Sequence, residues 1–242
     1  MAMSASIFAL IFLAALLASS VGNAGASSYL AVMAVFGLSP EVIRPSALVL
    51  NVLVATVALI RFRRAGLVRW SLVGPIALGS IPSALLGGMI HLPGSWYRVL
   101  AGALLIFSAD RVARQREVEA SAIRPLPGSA PVLGLGIGLV SGLTGIGGGV
   151  LLGPLLIVRR WAEPREAAGA SAALNLANSL AALVGDPWSV GRLPPAFSAW
   201  AAAALLGGMI GSGLGARKLA GKTLRRILAF VLVLAGVRLL VS

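Results

Sequence analysis

Hydrophobic positions in this chain come in long unbroken stretches. They show neither the strict alternation of a half-buried strand nor the narrow apolar stripe of a surface helix. No Asp, Glu, Lys or Arg interrupts residues 1–40, 45–60, 70–97, 99–109, 125–158, 167–185, 193–216 or 227–237. A helix crossing ~30 Å of hydrocarbon needs about 20 residues at ~1.5 Å rise per residue, so most of these runs match one crossing. The two short runs, 99–109 and 227–237, reach that length when extended through Trp96–Tyr97 and Leu224, with Arg98, Arg225 and Arg226 turned to the interface. The pattern predicts an all-α, polytopic membrane protein. A membrane β-barrel fits poorly, because its strands would show ten-residue segments of alternating polarity.

Runs 1–40 and 125–158 are too long for one helix, and each carries small and polar residues near its middle. The first reads Ser19-Ser20-Val21-Gly22-Asn23-Ala24-Gly25-Ala26-Ser27-Ser28, and the second Ser141-Gly142-Leu143-Thr144-Gly145-Ile146-Gly147-Gly148-Gly149. The glycine density from Gly145 to Gly149 cannot hold a helix. Each run therefore predicts two shorter helices joined by a non-helical break, which at membrane depth requires protein or a water-filled cavity around it. The start of the chain is read as a retained span. Residues 6–18 are apolar and precede Ala18-Ser19-Ser20, but no Lys or Arg marks the n-region of a signal peptide.

The two broken runs open two halves that align on each other. Asn51 falls on Asn175, Ser39-Pro40 on Glu163-Pro164, Gly79-x3-Ser83-x3-Gly87 on Gly207-x3-Gly211-x3-Gly215, and Arg111 on Arg238. This predicts a first membrane repeat over 1–110, a cytoplasmic linker over 111–130 and a second repeat over 131–242. Loop charge alternates oppositely in the two halves. Loop 61–69 has four Arg against Asp186 and Arg192 in 186–192, while loop 91–98 has one Arg against five basic residues in 217–226. Basic loops face the cytoplasm, so matching loops lie on opposite faces and the repeats are of inverted topology. That needs an odd number of crossings per half. The parity holds if each broken run is a re-entrant hairpin, or if it makes two short crossings. Inverted repeats with broken helices at the midplane are a recurring design of secondary transporters.

Composition narrows the reading further. The 242 residues are 58% hydrophobic and only 11% charged, well below the ~25% charged of a soluble domain. A net charge of +13 would suggest nucleic acid in a soluble chain; here the basic residues punctuate membrane spans, and no nucleic-acid partner is expected. With no cysteine and a single histidine, neither a thiolate metal site nor a metal-ligand cluster is expected, nor any cofactor. The acids Glu41, Asp110, Glu117, Glu119, Glu163, Glu166 and Asp186 all lie in loops or at span ends, which argues against a mid-span carboxylate proton relay. Asp186 is the best remaining candidate for coupling.

The run Ser141-Gly142-x-x-Gly145-x-Gly147-Gly148-Gly149 followed by Pro154-Leu155 resembles the signature of the sulfite exporter TauE/SafE family. The degenerate copy around Gly22–Ala26, Asn51 and Asn175 in the next blocks, and the small-residue rows fit that family over nearly the whole chain. The resemblance implies a multi-pass inner-membrane protein that moves small anions, notably sulfite, sulfonates and other organosulfur compounds. The first break departs from the pattern, with Ala24 and Ala26 where the second has Gly147 and Gly149.

A broken helix suits a small oxyanion. The restarting helix offers unpaired N–H groups and the positive end of its dipole, and glycine lets backbone amides form a nest. The candidate substrate-binding residues are Ser20, Gly22, Asn23, Gly25 and Ser27 at the first break. At the second they are Ser141, Thr144, Gly145, Gly147 and Gly148. Asn51, Asn175 and Asn178 would supply amides from neighbouring helices. The competing readings are bland. Gly-rich segments often serve only close helix packing, which is the preferred reading for the Gly79 and Gly207 rows, and the alternative for Asn51 and Asn175 is a bridge between helices. Trp70, Trp96, Trp161 and Trp188 read as interface anchors. The function expected is a transporter, an exporter by resemblance, working by alternating access. A passive anion channel is the alternative. An intramembrane enzyme ranks lower, since the lone His91 has no placed nucleophile. The bilayer is the other expected partner, and a homo-oligomer is compatible with the sequence.

Overall fold

The computed structural model describes residues 2–20, 25–113, 128–217 and 222–241. Those residues form ten α-helices and one short 3-10 helix: α1 (Ala2–Ser20), α2 (Ala26–Val35), α3 (Pro40–Arg64), α4 (Trp70–Met89), α5 (Gly94–Ala113), α6 (Ser129–Thr144), α7 (Gly149–Val158), α8 (Pro164–Gly185), the 3-10 helix Pro187–Arg192, α9 (Phe197–Arg217) and α10 (Lys222–Val241). Four of them, α3, α4, α8 and α9, contain segments long and apolar enough to cross a membrane by length and composition. The short apolar run at 99–109 lies inside the 20-residue α5, and that at 227–237 inside the 20-residue α10.

Both long runs are broken where small residues gather. α6 ends at Thr144, Gly145 caps it at φ 79°, Gly148 starts the next helix at φ 77°, and α7 begins at Gly149. Gly147 lies between them at φ 80°. Left-handed backbone at three positions in four is a conformation only glycine adopts without strain. In the first half α1 ends at Ser20, and Gly25 at φ 94° starts α2. Residues 21–24, with the candidates Gly22 and Asn23, lie outside the described residues, as does segment 114–127 of the expected linker. The helix that follows each broken run starts on the same device: Ser39 then Pro40 for α3, Glu163 then Pro164 for α8. Proline at the first helical position lacks only an N–H that would be unpaired there anyway. At α8, Glu163 and Glu166 add a reciprocal capping box.

Helix seams fix the directions. In the α4–α6 seam, Gly79 sits on the Pro131 carbonyl, Gly138 on that of Ser80 and Gly142 on that of Ala84, so the two helices run side by side in one direction. Gly207 meets the Phe12 carbonyl and Gly211 that of Leu16, which makes α1 and α9 the corresponding parallel pair. Without side chains the backbones approach until Cα–H groups meet carbonyls, the source of association energy where water supplies none. α8 runs with α4, since Gly169 near the start of α8 meets Leu67 just before α4, Asn178 meets Ser80 midway and Gly185 meets Leu85 near their ends. α7 runs against α8, with Gly149 beside Asn175 and Gly153 beside Ser171. α6 and α7 therefore form a hairpin that goes in and comes back.

Two apolar cores result. One gathers α1, α2, α5, α9, α10 and the first half of α3, and Ile146 and Val150 from the second break plug into it. The other gathers α4, α6, α7 and α8. Trp70, Trp96 and Trp188 are exposed, as interface anchors should be. Trp161 is not: it is buried in the second core, with the Arg159 guanidinium 5.7 Å from its ring. The chain turns inward there, because Arg160 takes a left-handed φ of 55° and the Trp161 N–H returns to the Leu156 carbonyl.

Candidate functional site

Asn51 lies near the midpoint of α3, Ser80 near that of α4 and Asn175 near that of α8. All three are fully buried and polar at half depth. The glycine run explains how they meet. A side chain at Gly147 would run into the amides of Asn51 and Asn175, one at Gly148 into Asn178, and one at Gly149 into Asn175. Three successive residues without Cβ let three asparagines press against the main chain of the break.

The hydrogen bonds of this cluster are only half completed. The Asn51 amide N–H donates to Ser179 Oγ at 2.6 Å. The Gly149 N–H, first of α7, donates to Asn175 Oδ1 at 2.6 Å. The Ser80 hydroxyl donates to Asn178 Oδ1 at 2.8 Å. Four buried donors have no partner: Asn175 Nδ2, Asn178 Nδ2, and the hydroxyls of Ser141 and Ser171. The two hydroxyls can accept as well as donate, and Asn51 Oδ1 is an unpaired acceptor. Each unpaired buried polar group costs ~1–3 kcal/mol, and a ligand that accepts hydrogen bonds would satisfy all four donors.

A cation stands beside the cluster. Arg44 lies on α3 seven residues before Asn51, two turns away on the same face, and is 8% exposed. Its guanidinium donates to the carbonyls of Gly87 at 3.0 Å, Gly88 at 2.6 Å and Ile90 at 3.2 Å, at the end of α4, and of Gly142 at 2.9 Å in α6. These carbonyls are the negative ends of two helices. Its Nε–H is buried without a partner, and Gly145 of the break rests against the Arg44 main chain and Cγ. The Tyr97 hydroxyl donates to the Thr144 carbonyl at 3.0 Å. Arg44 and Tyr97 also line a cleft of about 110 Å³, with Glu41, His91, Asp186 and Arg192. His91 Nε2 and Asp186 Oδ2 stand 2.9 Å apart across that cleft, joining the α4–α5 connection to the end of α8.

The structure thus brings Ser141, Gly145, Gly147, Gly148, Asn51, Asn175 and Asn178 together. Thr144 is there too, but its side chain is used locally: it donates to the Val140 carbonyl and accepts weakly from the Ile146 N–H. At the first break the Ser20 hydroxyl donates to the Leu17 carbonyl. Ser27 is buried with an unpartnered hydroxyl, and Gly25 packs on Tyr29. None of these three hydrogen-bonds to the asparagine cluster. Five residues of the site escape a reading by charge-free runs: Arg44, Ser80, Tyr97, Ser171 and Ser179. For two a signal exists, because Ser171 and Ser179 lie four residues either side of Asn175, on one face of a helix. Arg44 carries a weaker one. A cation in the first turns of a helix opposes the macrodipole, which implies a tertiary partner. Among the described residues no group of three His, Asp or Glu could hold a metal ion.

Comparison with known proteins bears on the family of the chain. The family model described as sulfite exporter TauE/SafE matches residues 7–239. The chain is similar to a Sinorhizobium fredii (strain NBRC 101917 / NGR234) protein described as "Probable membrane transporter protein y4hK", 39% identical over 234 residues, which cover 95% of each chain. No solved structure matches significantly.

Proposed function

This chain belongs to the sulfite exporter TauE/SafE family, a multi-pass membrane transporter and not an enzyme, and we propose that it carries small anions of the sulfite and organic sulfonate class across the inner membrane, binding them at the Asn51–Asn175–Asn178 cluster. The observation that carries this reading is the set of four unpaired buried donors, two of them amide N–H groups, around a glycine break. A tetrahedral or pyramidal oxyanion accepts several hydrogen bonds at once and donates none or one, which is the complement of that cluster. Arg44 supplies positive potential without closing a salt bridge on the site, because carbonyls hold its N–H groups. Neutral donors bind an anion reversibly, as a carrier requires.

The transport cycle follows from two inverted repeats, α1–α5 and α6–α10, rocking against each other. The helix pairs support this: exchanging the halves turns the parallel α4–α6 seam into the parallel α9–α1 seam. The basic residues Arg61, Arg63, Arg64, Arg69, Arg159, Arg160 and Arg165 gather where α3 and α7 end and α8 begins, the cytoplasmic face by the positive-inside rule. The cleft over Arg44 then opens to the opposite face. Its floor, Arg44 and Tyr97, bonds to Gly142 and Thr144 at the end of α6, just before the glycines that roof the asparagine cluster. Movement of the α6–α7 hairpin relative to α3 and α5 would open that floor. Asp186, which pairs with His91 across the cleft, is the candidate for coupling at this opening.

A melting assay on purified protein with sulfite, methanesulfonate, sulfate and chloride tests the binding site. A ligand specific for the folded state raises the melting point by mass action, by ~2.7 kcal/mol of stability at a hundred times its Kd. At least one oxyanion is expected to shift the native protein and to lose its effect in Asn51→Ala and Asn175→Ala. An undiminished shift in both variants overturns the assignment.

A further inference from the structure

The two arms of the α6–α7 hairpin diverge as they approach the arginine-rich end. Between them lies an open trough of about 530 Å³, floored by Leu133, Gly136, Ile137, Val140, Leu151 and Leu155. This is the size of a site for a small organic ligand. Its walls are entirely apolar along the hairpin, and its mouth is flanked by Val132 and Val158, both strongly exposed. At one end only, two cations close it: Arg111 from α5 and Arg159 from the end of α7. The Arg111 guanidinium lies over the Phe107 ring at 4.9 Å, and its buried Nε–H has no partner. Arg159 stacks toward Trp161. Neither guanidinium makes an ion pair among the described residues.

An apolar channel with paired guanidiniums at its headgroup end describes one class of molecule. We infer that the trough binds an anionic phospholipid of the leaflet on the arginine-rich side, with one acyl chain laid between α6 and α7 and its phosphate held by Arg111 and Arg159. Guanidinium pairs phosphate in a fixed bidentate fork, and basic residues at the membrane surface favour anionic lipid. Segment 114–127, outside the described residues, carries Arg114, Arg116, Glu117, Glu119 and Arg124, and an acyl chain matches the apolar floor better in chemistry. The lipid is also placed to matter. Ile137 of the floor is the residue that Gly148 of the break packs against, so an acyl chain there backs the hairpin one side chain from the asparagine cluster. The inference needs only the membrane setting and does not depend on which anion is carried.

The test is a melting titration of the purified full-length protein in neutral detergent with phosphatidylglycerol, phosphatidylcholine or glycerol 3-phosphate. The native protein is expected to be stabilised by phosphatidylglycerol well above phosphatidylcholine, and not by glycerol 3-phosphate. Arg111→Gln with Arg159→Gln should raise the phosphatidylglycerol concentration for half effect by about tenfold or more. Gly136→Leu should suppress the response as well, because a side chain at Gly136 meets open space in the trough and would fill it without touching another backbone. Equal responses to the two lipids in the native protein would overturn the inference. So would a native response in either variant, or a glycerol 3-phosphate effect equal to that of the lipid, which would reduce the site to a headgroup-only anion contact.

Discussion

Ser141→Ala separates binding from folding at the proposed anion site. The Ser141 hydroxyl is fully buried in α6 against Gly148 and has no hydrogen-bond partner. In the empty protein this is a cost, since an unsatisfied buried polar group forfeits ~1–3 kcal/mol of hydration. Alanine removes the hydroxyl and leaves a void too small to matter, so the empty variant should melt at the native temperature or slightly above it. With an oxyanion bound, the same hydroxyl donates a charge-assisted bond of ~1.5–3 kcal/mol, whose loss weakens binding by roughly ten- to a hundredfold. Asn175→Ala should behave differently. It loses an unpaired Nδ2 and also the Oδ1 that accepts the Gly149 N–H, so it should destabilise the empty protein by about 1–2 kcal/mol, the usual worth of an N-cap, besides weakening the anion. Melting curves with and without sulfite read both quantities from one sample, and uptake into proteoliposomes checks that lost binding is lost transport. The reasoning is refuted if Ser141→Ala destabilises the empty protein by more than about 1 kcal/mol, which would mean that the hydroxyl already has a partner, or if it leaves the sulfite shift untouched.

Other positions give equally direct outcomes. Arg44→Gln should cost ~3–5 kcal/mol, the loss typical of breaking a buried charged network, and Arg44→Lys should recover only part of it, because an ammonium cannot span the carbonyls of both α4 and α6; a chemical-denaturation series decides, and a loss below 1 kcal/mol for Arg44→Gln would contradict the bonding described. Gly74→Ala and Gly138→Ala compare two helical glycines: the first faces open space and should gain up to ~1 kcal/mol from helix propensity, whereas the second drives a methyl into the Ser80 carbonyl and should lose stability or fail to assemble, as thermal melts will show. His91→Ala and Asp186→Asn, measured singly and together, should show a coupling energy of at most about 1 kcal/mol, as for other partly exposed pairs. Transport by either variant should fall, because the contact bridges the α4–α5 connection and the end of α8, and an unchanged transport rate would remove the pair from the opening step.

Much of this protein can be read along the chain because a membrane imposes one dominant rule. Backbone polar groups have no water to bond to, so the chain must be helical wherever it meets lipid, and charge-free length alone marks α3, α4, α8 and α9. The breaks are equally legible, since Gly145, Gly147 and Gly148 need left-handed backbone and no other residue takes it without strain. The Gly79 row was readable as a packing seam for a related reason: in lipid, small residues are what let helices touch. Asn51 and Asn175 are legible as intramembrane polar groups, either ligand contacts or bridges between helices, and Asn178 by its place three residues from Asn175.

Partnerships across the fold were beyond the sequence, because contact between distant segments depends on how seams align and not on local propensity. Nothing near Arg44 in the chain foretells that its guanidinium reaches Gly87, Gly88, Ile90 and Gly142, and a charge so close to a span end reads equally well as interfacial. Trp161 carries the same composition signal as Trp70, yet a left-handed turn at Arg160 sends one indole inward while the other stays exposed. The polarity of the donors is the plainest case. Sequence names asparagines, which both donate and accept; only the packed structure determines that Asn175 and Asn178 spend their oxygens on Gly149 and Ser80 and leave their Nδ2 groups unpaired, and the proposed anion site rests on that choice.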